Sequence, residues 1–452
     1  MWNGLTGLKG LILMDFTAIE KQLTSLTDLL GFAPDPQQVQ AIQLCVDIVK
    51  RLVSVTGAAG TGKTTIIRAV YHMLKDAGFA VVLCAPTGKA AKRITQATGI
   101  PAMTVHRLLE YTHPGEPDEA TGKVFNSSFP RRTAANPIEF DVVLCDEYSM
   151  INVELHRNLI NALPRGGVLR MFGDNNQLPP IETDKRLLNE PSSFLTMLDK
   201  FPAVILDVVH RQGADSGILG NLQQILRGRI PRANDQWHMH FTDGPVDVVK
   251  DLIFSALDHE VDFCAIENQI ITPTNKTWVG TVKLNPLIQG LFRDAMDPCL
   301  YIPRHKWIEG MDGKKGGVIR VYQGDKIIIT SNNYDLAVFN GESGIITEIG
   351  ADGEVVIDFG DREQTIPPSM DVLNRYGRMV SVDPRRDIDL GYVITTHKSQ
   401  GSEYKNVIYL MNKSCSWMLN RRNLYTACSR AKENLHLVTD QNSISLAVNK
   451  QG

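Results

Sequence analysis

The stretch GAAGTGKTT, Gly57 to Thr65, limits the fold more than any other part of the chain. Gly57, Gly62, Lys63 and Thr64 satisfy the spacing G-x-x-x-x-G-K-[ST], which works in only one local setting. A strand delivers the loop, the loop wraps phosphates with backbone N–H groups unobstructed by Cβ atoms, and a helix begins where the loop ends. The flanks supply both elements. RLVSV is an apolar run of strand length, and TTIIRAVYHMLKDAG has helical periodicity and stops at Gly78. Gly57, Ala58, Ala59, Gly60, Thr61, Gly62, Lys63, Thr64 and Thr65 are therefore the expected cradle of a nucleoside triphosphate. Lys63 places a point charge on the β and γ oxygens, and the Thr64 hydroxyl reaches a magnesium ion.

A strand, loop and helix of this kind belong to a parallel sheet with crossover helices. The runs RLVSV, AVVLCAP, DVVLCD and VLRMFGD alternate with helical stretches at 63–77, 88–98 and 152–163. The alternation resumes with AVILDV, NQIITPT, GYVITTHKSQG, NVIYLM and LHLVTD, which predicts a second α/β lobe. Functional side chains are then expected at the carboxyl ends of the strands. Two segments break the pattern. At about 318–383, GDKIIITSNN, ESGIITEIG and GEVVIDFG are short period-two runs with Asn340-Gly341 and Asp352-Gly353 between them. Those dipeptides favour primed hairpin turns, so a small inserted antiparallel barrel is expected. The other break, 112–140, is rich in Pro, Gly and polar residues and reads as a surface excursion or a small functional protrusion.

Composition sets the outer bounds. A chain of 452 residues suits two to four domains, and 43% hydrophobic with 21% charged residues suits a globular protein. The net charge of −3 gives no bulk sign of a polyanionic partner, so a phosphate-binding surface has to be a local groove. The seven cysteines form no C-x-x-C pair and several sit in apolar runs, which predicts buried reduced thiols and no zinc site. LKGLILM is too short to span a membrane and no cleavage pattern follows it, so a cytoplasmic protein is expected, with Met1 or Met14 as its start.

The polar clusters fall where the alternation puts strand ends. In VVLCDEYSM, Asp146 is placed to hold a magnesium ion and Glu147 to orient and deprotonate an attacking water. In MFGDNNQLPPI, Gln177 is either a γ-phosphate sensor or part of a Pro-terminated polar turn. Arg211 in VVHRQ and Arg430 in YTACSRAKENL come from the second half of the chain. Arginines delivered from a separate lobe stabilise charge on a transferred phosphoryl group; the plainer reading of Arg430 is an ion pair with Glu433. ITTHKSQGSE offers Thr396, His397 and Lys398 to the backbone phosphates of a polymer, while Glu403 can reach back to the nucleotide. Pro86, Thr87, Lys89, Thr104 and His106, in CAPTGKAAKRI and TVHRLL, are the matching set on the first lobe, although a lone histidine such as His106 is more often structural.

Taken in order, GAAGTGKTT, APTGKAAKRI, TVHRLL, VVLCDEYSM, FGDNNQLPPI, HRQ, THKSQGSE and YTACSRAKENL resemble superfamily 1 helicases of the RecD/Dda-like branch, from about residue 34 to 440. The resemblance implies an adenine-contacting glutamine before the phosphate loop; PDPQQVQAI supplies it, and the spacing to Ala41 favours Gln38 over Gln37. It also implies an α/β fold of two RecA-like parallel-sheet lobes with an SH3-like barrel and a pin inserted. The chain then divides into an N-terminal extension (1–33), a first RecA-like lobe (34–111 and 138–200) and a pin-like insertion (112–137). A second RecA-like lobe (201–317 and 384–452) carries the barrel (318–383). ATP and Mg2+ are the implied cofactors. Single-stranded DNA and tailed duplex DNA are the implied substrates, and 5′→3′ movement by a monomer is the implied activity. The pathways implied are replication, recombination or repair, in a bacterium or in the host cytoplasm if the source is viral. The partner implied is a single-strand-binding, replication or recombination protein. A translocase that remodels complexes on DNA or RNA without separating strands, and an ATP-gated binding switch, are the alternatives. The chain departs from the pattern at Tyr148, where relatives carry a small residue, and neither Phe125 nor Phe129 is assignable as a strand-separating wedge.

Overall fold

The computed structural model describes residues 33–112, 129–182, 184–187, 190–208, 217–293, 298–304, 317–333, 335–373 and 378–451. The expected N-terminal extension, most of the excursion and Arg211 lie outside them. The described chain enters through α1 (Pro36–Val46), whose start is fixed by a capping box: Asp35 accepts the Gln37 and Gln38 N–H groups, and Gln38 Oε1 accepts the Asp35 N–H. There follow β1 (Leu52–Gly57), α2 (Lys63–Asp76), β2 (Val81–Ala85), α3 (Gly88–Thr98), β3 (Ala102–Thr104) and the single turn α4 (Val105–Leu108). The excursion leaves and returns here, its base closed by a bridge between Tyr111 and Pro130. Then come β4 (Val142–Cys145), α5 (Val153–Ala162), β5 (Val168–Gly173), α6 (Ser193–Lys200) and β6 (Ala203–Leu206).

These six strands form a wholly parallel sheet in the order β3-β2-β4-β5-β1-β6. Side chains alternate between its faces, so each face has its own core. Val142 and Leu144 join Val53, Val55, Ile66 and Val70 on one side, while Val143 and Cys145 join Met171, Leu159 and Phe194 on the other. Strand β6 corrects the expected lobe boundary at 200. AVILDV was placed in the second lobe, yet Ser54 to Gly57 of β1 pair with Ala203 to Leu206. A short apolar run serves equally well as the edge of either sheet, and only the long-range pairing decides.

The second lobe opens with α7 (Gly217–Leu226), β7 (Trp237–Phe241), α8 (Pro245–Leu257), β8 (Asn268–Thr272) and α9 (Thr281–Phe292). An antiparallel region interrupts it: β9 (Cys299–Pro303), β10 (Val318–Tyr322), β11 (Lys326–Ile329), β12 (Ser343–Ile349), β13 (Val355–Asp358), β14 (Glu363–Ile366), β15 (Met370–Leu373), β16 (Met379–Val382) and β17 (Ile388–Leu390). The lobe resumes with β18 (Val393–Thr395), the turn α10 (Thr396–Ser399), β19 (Tyr404–Leu410), α11 (Arg421–Cys428), β20 (Ala431–Thr439) and α12 (Gln441–Asn449). Its parallel sheet has the order β18-β8-β19-β20-β7. The inserted five-stranded antiparallel sheet has the order β14-β13-β12-β11-β17, beside the separate ribbons β9–β10 and β15–β16. Both expected edges of the insertion therefore move. Strand β10 pairs with β9, upstream of 318, and β17, downstream of 383, closes on β11. Asp352-Gly353 lies in a longer 350–354 connection instead of a two-residue primed turn, with Gly353 in the left-handed region at φ +84°.

Asp325 joins the inserted sheet to the second lobe. Fully buried, it accepts hydrogen bonds from Arg293 Nε at 2.9 Å, Gln289 Nε2 at 2.5 Å, the Tyr392 hydroxyl at 2.7 Å and the Tyr322 N–H at 2.9 Å. On the other side, α3 of the first lobe docks on the same sheet: Lys92 pairs with Asp361 and lies 3.6 Å from Glu342, and Gly88 abuts the Phe339 ring. None of the described helices is long and apolar enough to cross a membrane. Removing one partner of a buried, hydrogen-bonded ion pair costs about 3–5 kcal/mol. Asp325→Ala is expected to lose that much stability in urea unfolding, whereas Asp358→Ala, in a half-exposed position on β13, loses far less.

Candidate active site between the lobes

The phosphate loop takes its shape from two glycines. Gly62 is left-handed, at φ +87°, and a Cβ there would stand 2.3 Å from Gln38 Nε2. A Cβ on Gly57 would meet Thr61 Oγ1 at 2.5 Å and Leu206 on β6 at 2.9 Å. Gln38 is buried and donates to the Thr61 carbonyl at 3.3 Å, so the first helix is bolted to the loop. Gln37 faces the other way, its Oε1 accepting the Asp207 and Val208 N–H groups. Lys63 Nζ donates to the carbonyls of Gly57 at 2.7 Å and Ala58 at 3.0 Å, which curls its ammonium over the loop. Gly57, Ala58 and Thr61 brace the loop from behind. Ala59, Gly60, Gly62, Lys63, Thr64 and Thr65 face a cavity of about 320 Å³.

The opposite lining of that cavity comes from both lobes: Gln38, Arg93, Asp146, Glu147 and Gln177 from the first, Glu403, Ser429 and Arg430 from the second. Asp146 and Glu147 leave β4 nearly buried, and Glu147 holds a left-handed backbone at φ +50°, an uncommon conformation for a residue with a Cβ. Burial first, and then the Glu147 charge beside it, push the Asp146 carboxyl up to about 6. Behind the pair, Tyr148 is fully buried, bonded to His156 Nδ1 at 2.8 Å and packed near Phe194. The large residue that departs from the family pattern thus fills the lobe's own core.

Three contacts carry the second lobe onto the loop after β5. The Tyr425 hydroxyl donates to Asp174 at 2.7 Å, the Leu178 N–H to Thr426 Oγ1 at 2.9 Å, and Gln400 Nε2 to the Leu178 carbonyl at 3.0 Å. They flank Gln177, whose Oε1 is buried with no hydrogen-bond partner among the described residues and whose side chain lines the cavity. Arg430 is 2% exposed and held by the carbonyls of Thr426 and Ser402 and by Ser429 Oγ. Glu433, its plainer expected partner, is not among these groups.

Residues 38–183 match the family model for an AAA domain, and residues 390–438 match that for a UvrD-like helicase C-terminal domain. The chain is 29% identical over 404 residues to the ATP-dependent RecD2 DNA helicase of Deinococcus radiodurans, covering 89% of this chain and 48% of that protein. It is 26% identical over 425 residues to the RecBCD enzyme subunit RecD of Mycobacterium tuberculosis, covering 87% and 67%. The fold superposes on Pif1 helicase from Bacteroides in complex with ADP-AlF3 and ssDNA with a TM-score of 0.56, at 20% identity and 90% and 92% coverage. On Pif1 helicase from Candida albicans the TM-score is 0.53, at 18% identity and 91% and 96% coverage. By these two family models and these relatives the chain is similar to superfamily 1 helicases of the RecD kind. It spans about half the length of the Deinococcus relative.

In this fold the residues expected to touch a polymer divide into four sets. Thr87 and Thr104 each cap a helix, accepting the Ala90 and Arg107 N–H groups, and each keeps its hydroxyl proton to donate. Pro86, Lys89, His397 and Lys398 are half-buried near the strand ends, and burial lowers the pKa of both His397 and Lys398. Lys89 is engaged with the second lobe, its Nζ 3.2 Å from the Tyr404 hydroxyl. His106 packs on the Tyr111 ring at 4.8 Å between centroids. Thr396 is the correction. It is fully buried and its hydroxyl is bonded to Asn423 Oδ1 at 2.9 Å, so a strand's phosphates cannot reach it.

Motif reading missed Ser429, beside Arg430, and above all Arg93. It lies 3.2 Å from Glu147 and 3.8 Å from Glu403, so it bridges the lobes through two carboxylates. Those carboxylates and Asp146 raise its pKa against the opposing effect of desolvation. A signal was available in the i, i+4 spacing of Lys89 and Arg93, which puts them on one face of α3.

Asp146 also ties the site to stability. Its folded pKa of about 6 exceeds the ordinary 3.8, so the native state binds the proton more tightly and this group's contribution falls as pH rises through that window. Asp146→Asn is expected to stabilise the nucleotide-free protein at pH 8 by on the order of 2 kcal/mol. The gain should shrink below pH 6 and vanish near pH 4 in urea titrations run across pH.

Proposed function

We propose that the chain is an ATP-dependent DNA helicase that moves 5′→3′ on single-stranded DNA and unwinds duplex. One observation carries the reading: a single cavity is lined by the phosphate loop and acid pair of one lobe and by Glu403, Ser429 and Arg430 of the other. Lys63 and the loop amides hold the triphosphate, Gln38 meets the adenine, and Glu147 takes a proton from the attacking water. Gln177 senses the γ-phosphate, and the Asp174–Tyr425 and Leu178–Thr426 bonds couple it to α11, just beyond whose end Arg430 lies. Arg430 neutralises charge on the phosphoryl group in the transition state; Arg211, outside the described residues, is assigned the same role.

Thr64 and Asp146 fit a magnesium ion. A cation answers the desolvated acid pair. Mg2+ keeps several waters and uses one or two carboxylates plus substrate phosphates, so the absence of a larger ligand cluster among the described residues is compatible with it. When bound, the ion draws charge from the β and γ oxygens. The five-stranded antiparallel sheet is read as an SH3-like barrel and 112–137 as a pin. A ligand that favours the closed cleft by 10⁴-fold biases it by about 5.5 kcal/mol. Opening one base-pair step costs about 1.4 kcal/mol in stacking, so one closure suffices for one step. A monomer is enough for this scheme.

On 5′-tailed and 3′-tailed duplexes, unwinding should require the 5′ tail. Equal or better activity on a 3′ tail would overturn that polarity, and strand-stimulated hydrolysis without unwinding of either would make the protein a translocase. Arg430→Ala should keep ATP binding and lose about 10³-fold or more of strand-stimulated turnover. Lys63→Ala should weaken nucleotide binding as well. Near-normal turnover in a folded Arg430→Ala protein, measured by phosphate release, would remove the second lobe from the chemistry.

A further inference from the structure

Two tryptophans stand out of the second lobe. Trp278 is 41% exposed and Trp417 is 61% exposed, whereas Trp237, also in this lobe, is completely buried. Both exposed indoles sit on loops that leave the carboxyl ends of adjacent strands, β8 and β19, which pair through Ile271 and Tyr409. The loops are alike in sequence, Asn275-Lys276-Thr277-Trp278 and Asn412-Lys413-Ser414-Cys415-Ser416-Trp417. They are also fastened together: Thr274 Oγ1 and Thr277 Oγ1 lie 3.6 and 3.5 Å from Cys415 Sγ. Backbone bonds brace each loop, Gly280 N–H to Thr277 O at 2.8 Å and Met418 N–H to Cys415 O at 2.8 Å.

The charge carried by the two loop segments themselves is one-sided. Segments 272–284 and 410–424 hold Lys276, Lys283, Lys413, Arg421 and Arg422 and not one Asp or Glu, in a chain of net charge −3. Arg421 turns inward to the Val448 carbonyl, Lys276 is engaged, and Asp440 takes the Lys413 backbone N–H, so the loops' positive charge rests on the side chains of Lys283, Lys413 and Arg422. Trp278 also walls an apolar hollow of about 500 Å³ with Val246, Leu284, Pro286 and Leu287, and Lys283 completes its lining. The next strand, β18, pairs with β8 and hands the chain to His397 and Lys398. Indoles on braced loops, local positive charge and continuity with those residues describe one kind of ligand: a polyanion that presents flat faces.

We propose that Trp278 and Trp417 form a stacking platform for unpaired bases of a single strand on the second lobe. This rests on the helicase reading and adds to it a base-contacting surface apart from the backbone contacts of the motifs. Base–aromatic stacking is sequence-tolerant and works together with cations that track the phosphates.

The test compares binding of labelled oligo-dT with that of an abasic strand of equal length, by anisotropy without nucleotide. The proteins are the full chain and its Trp278→Ala, Trp417→Ala, Trp278→Phe and Trp417→Phe variants, with folding checked by thermal melting. Wild type should prefer oligo-dT. Each alanine variant should weaken that binding by between about fivefold and a hundredfold. Abasic binding and the salt slope should change little, because the phosphate contacts remain, and phenylalanine should restore most of the loss. Unchanged oligo-dT binding in folded alanine variants would overturn the platform and leave the surface to a protein partner. Equal losses on both strands would overturn stacking. If wild type binds neither strand, the helicase reading itself fails, and the platform with it.

Discussion

The hydrogen bond from Tyr425 to Asp174 has no exposed end: the hydroxyl and the carboxylate are both buried, and they belong to different lobes. A buried polar group separated from its partner costs about 1–3 kcal/mol, and more if charged. The Thr426 and Gln400 contacts with Leu178 add to the same joint. The lobes therefore meet in a chosen register, and the cavity inherits that register. Gln177 sits inside the joint and Arg430 lies one helical turn beyond Thr426, so neither can shift without disturbing it.

Charge completes what the joint begins. Asp146 and Glu147 are adjacent carboxylates in a desolvated place, one on a left-handed backbone. Such an arrangement is costly by itself, and the site holds it with Arg93, which reaches Glu147 and Glu403 together. Lys432 binds the other side of Glu403 at 2.9 Å. Positive and negative groups from the two lobes thus alternate around the cavity, and a highly charged ligand entering it exchanges partners with them.

Local chemistry was legible in the sequence, and long-range pairing was not. The phosphate loop, its flanking strand and helix, and the acid pair at a strand end follow from patterns a few residues long. The run Ala203–Leu206 was legible as a strand but not as a neighbour of β1, since nothing in four apolar residues names the partner. Strand β17 closes a sheet that begins some sixty residues earlier, and its pattern is too short to declare this. Thr396 looked like a phosphate donor because its neighbours do, yet its hydroxyl is satisfied by Asn423, on a helix far along the chain. Arg93 was hidden for the opposite reason: an arginine on an amphipathic helix looks ordinary until two carboxylates from different lobes are found against it.

Helix α3 belongs to the first lobe, yet its three basic residues are all tied elsewhere. Lys89 reaches Tyr404, Arg93 reaches Glu403, and Lys92 reaches the inserted sheet at Glu342 and Asp361. The helix is thus an axle shared by three bodies. If the lobes turn about one another, the small sheet cannot idle, because the helix between them is geared to it. Whatever rides on that sheet would then be carried through an arc.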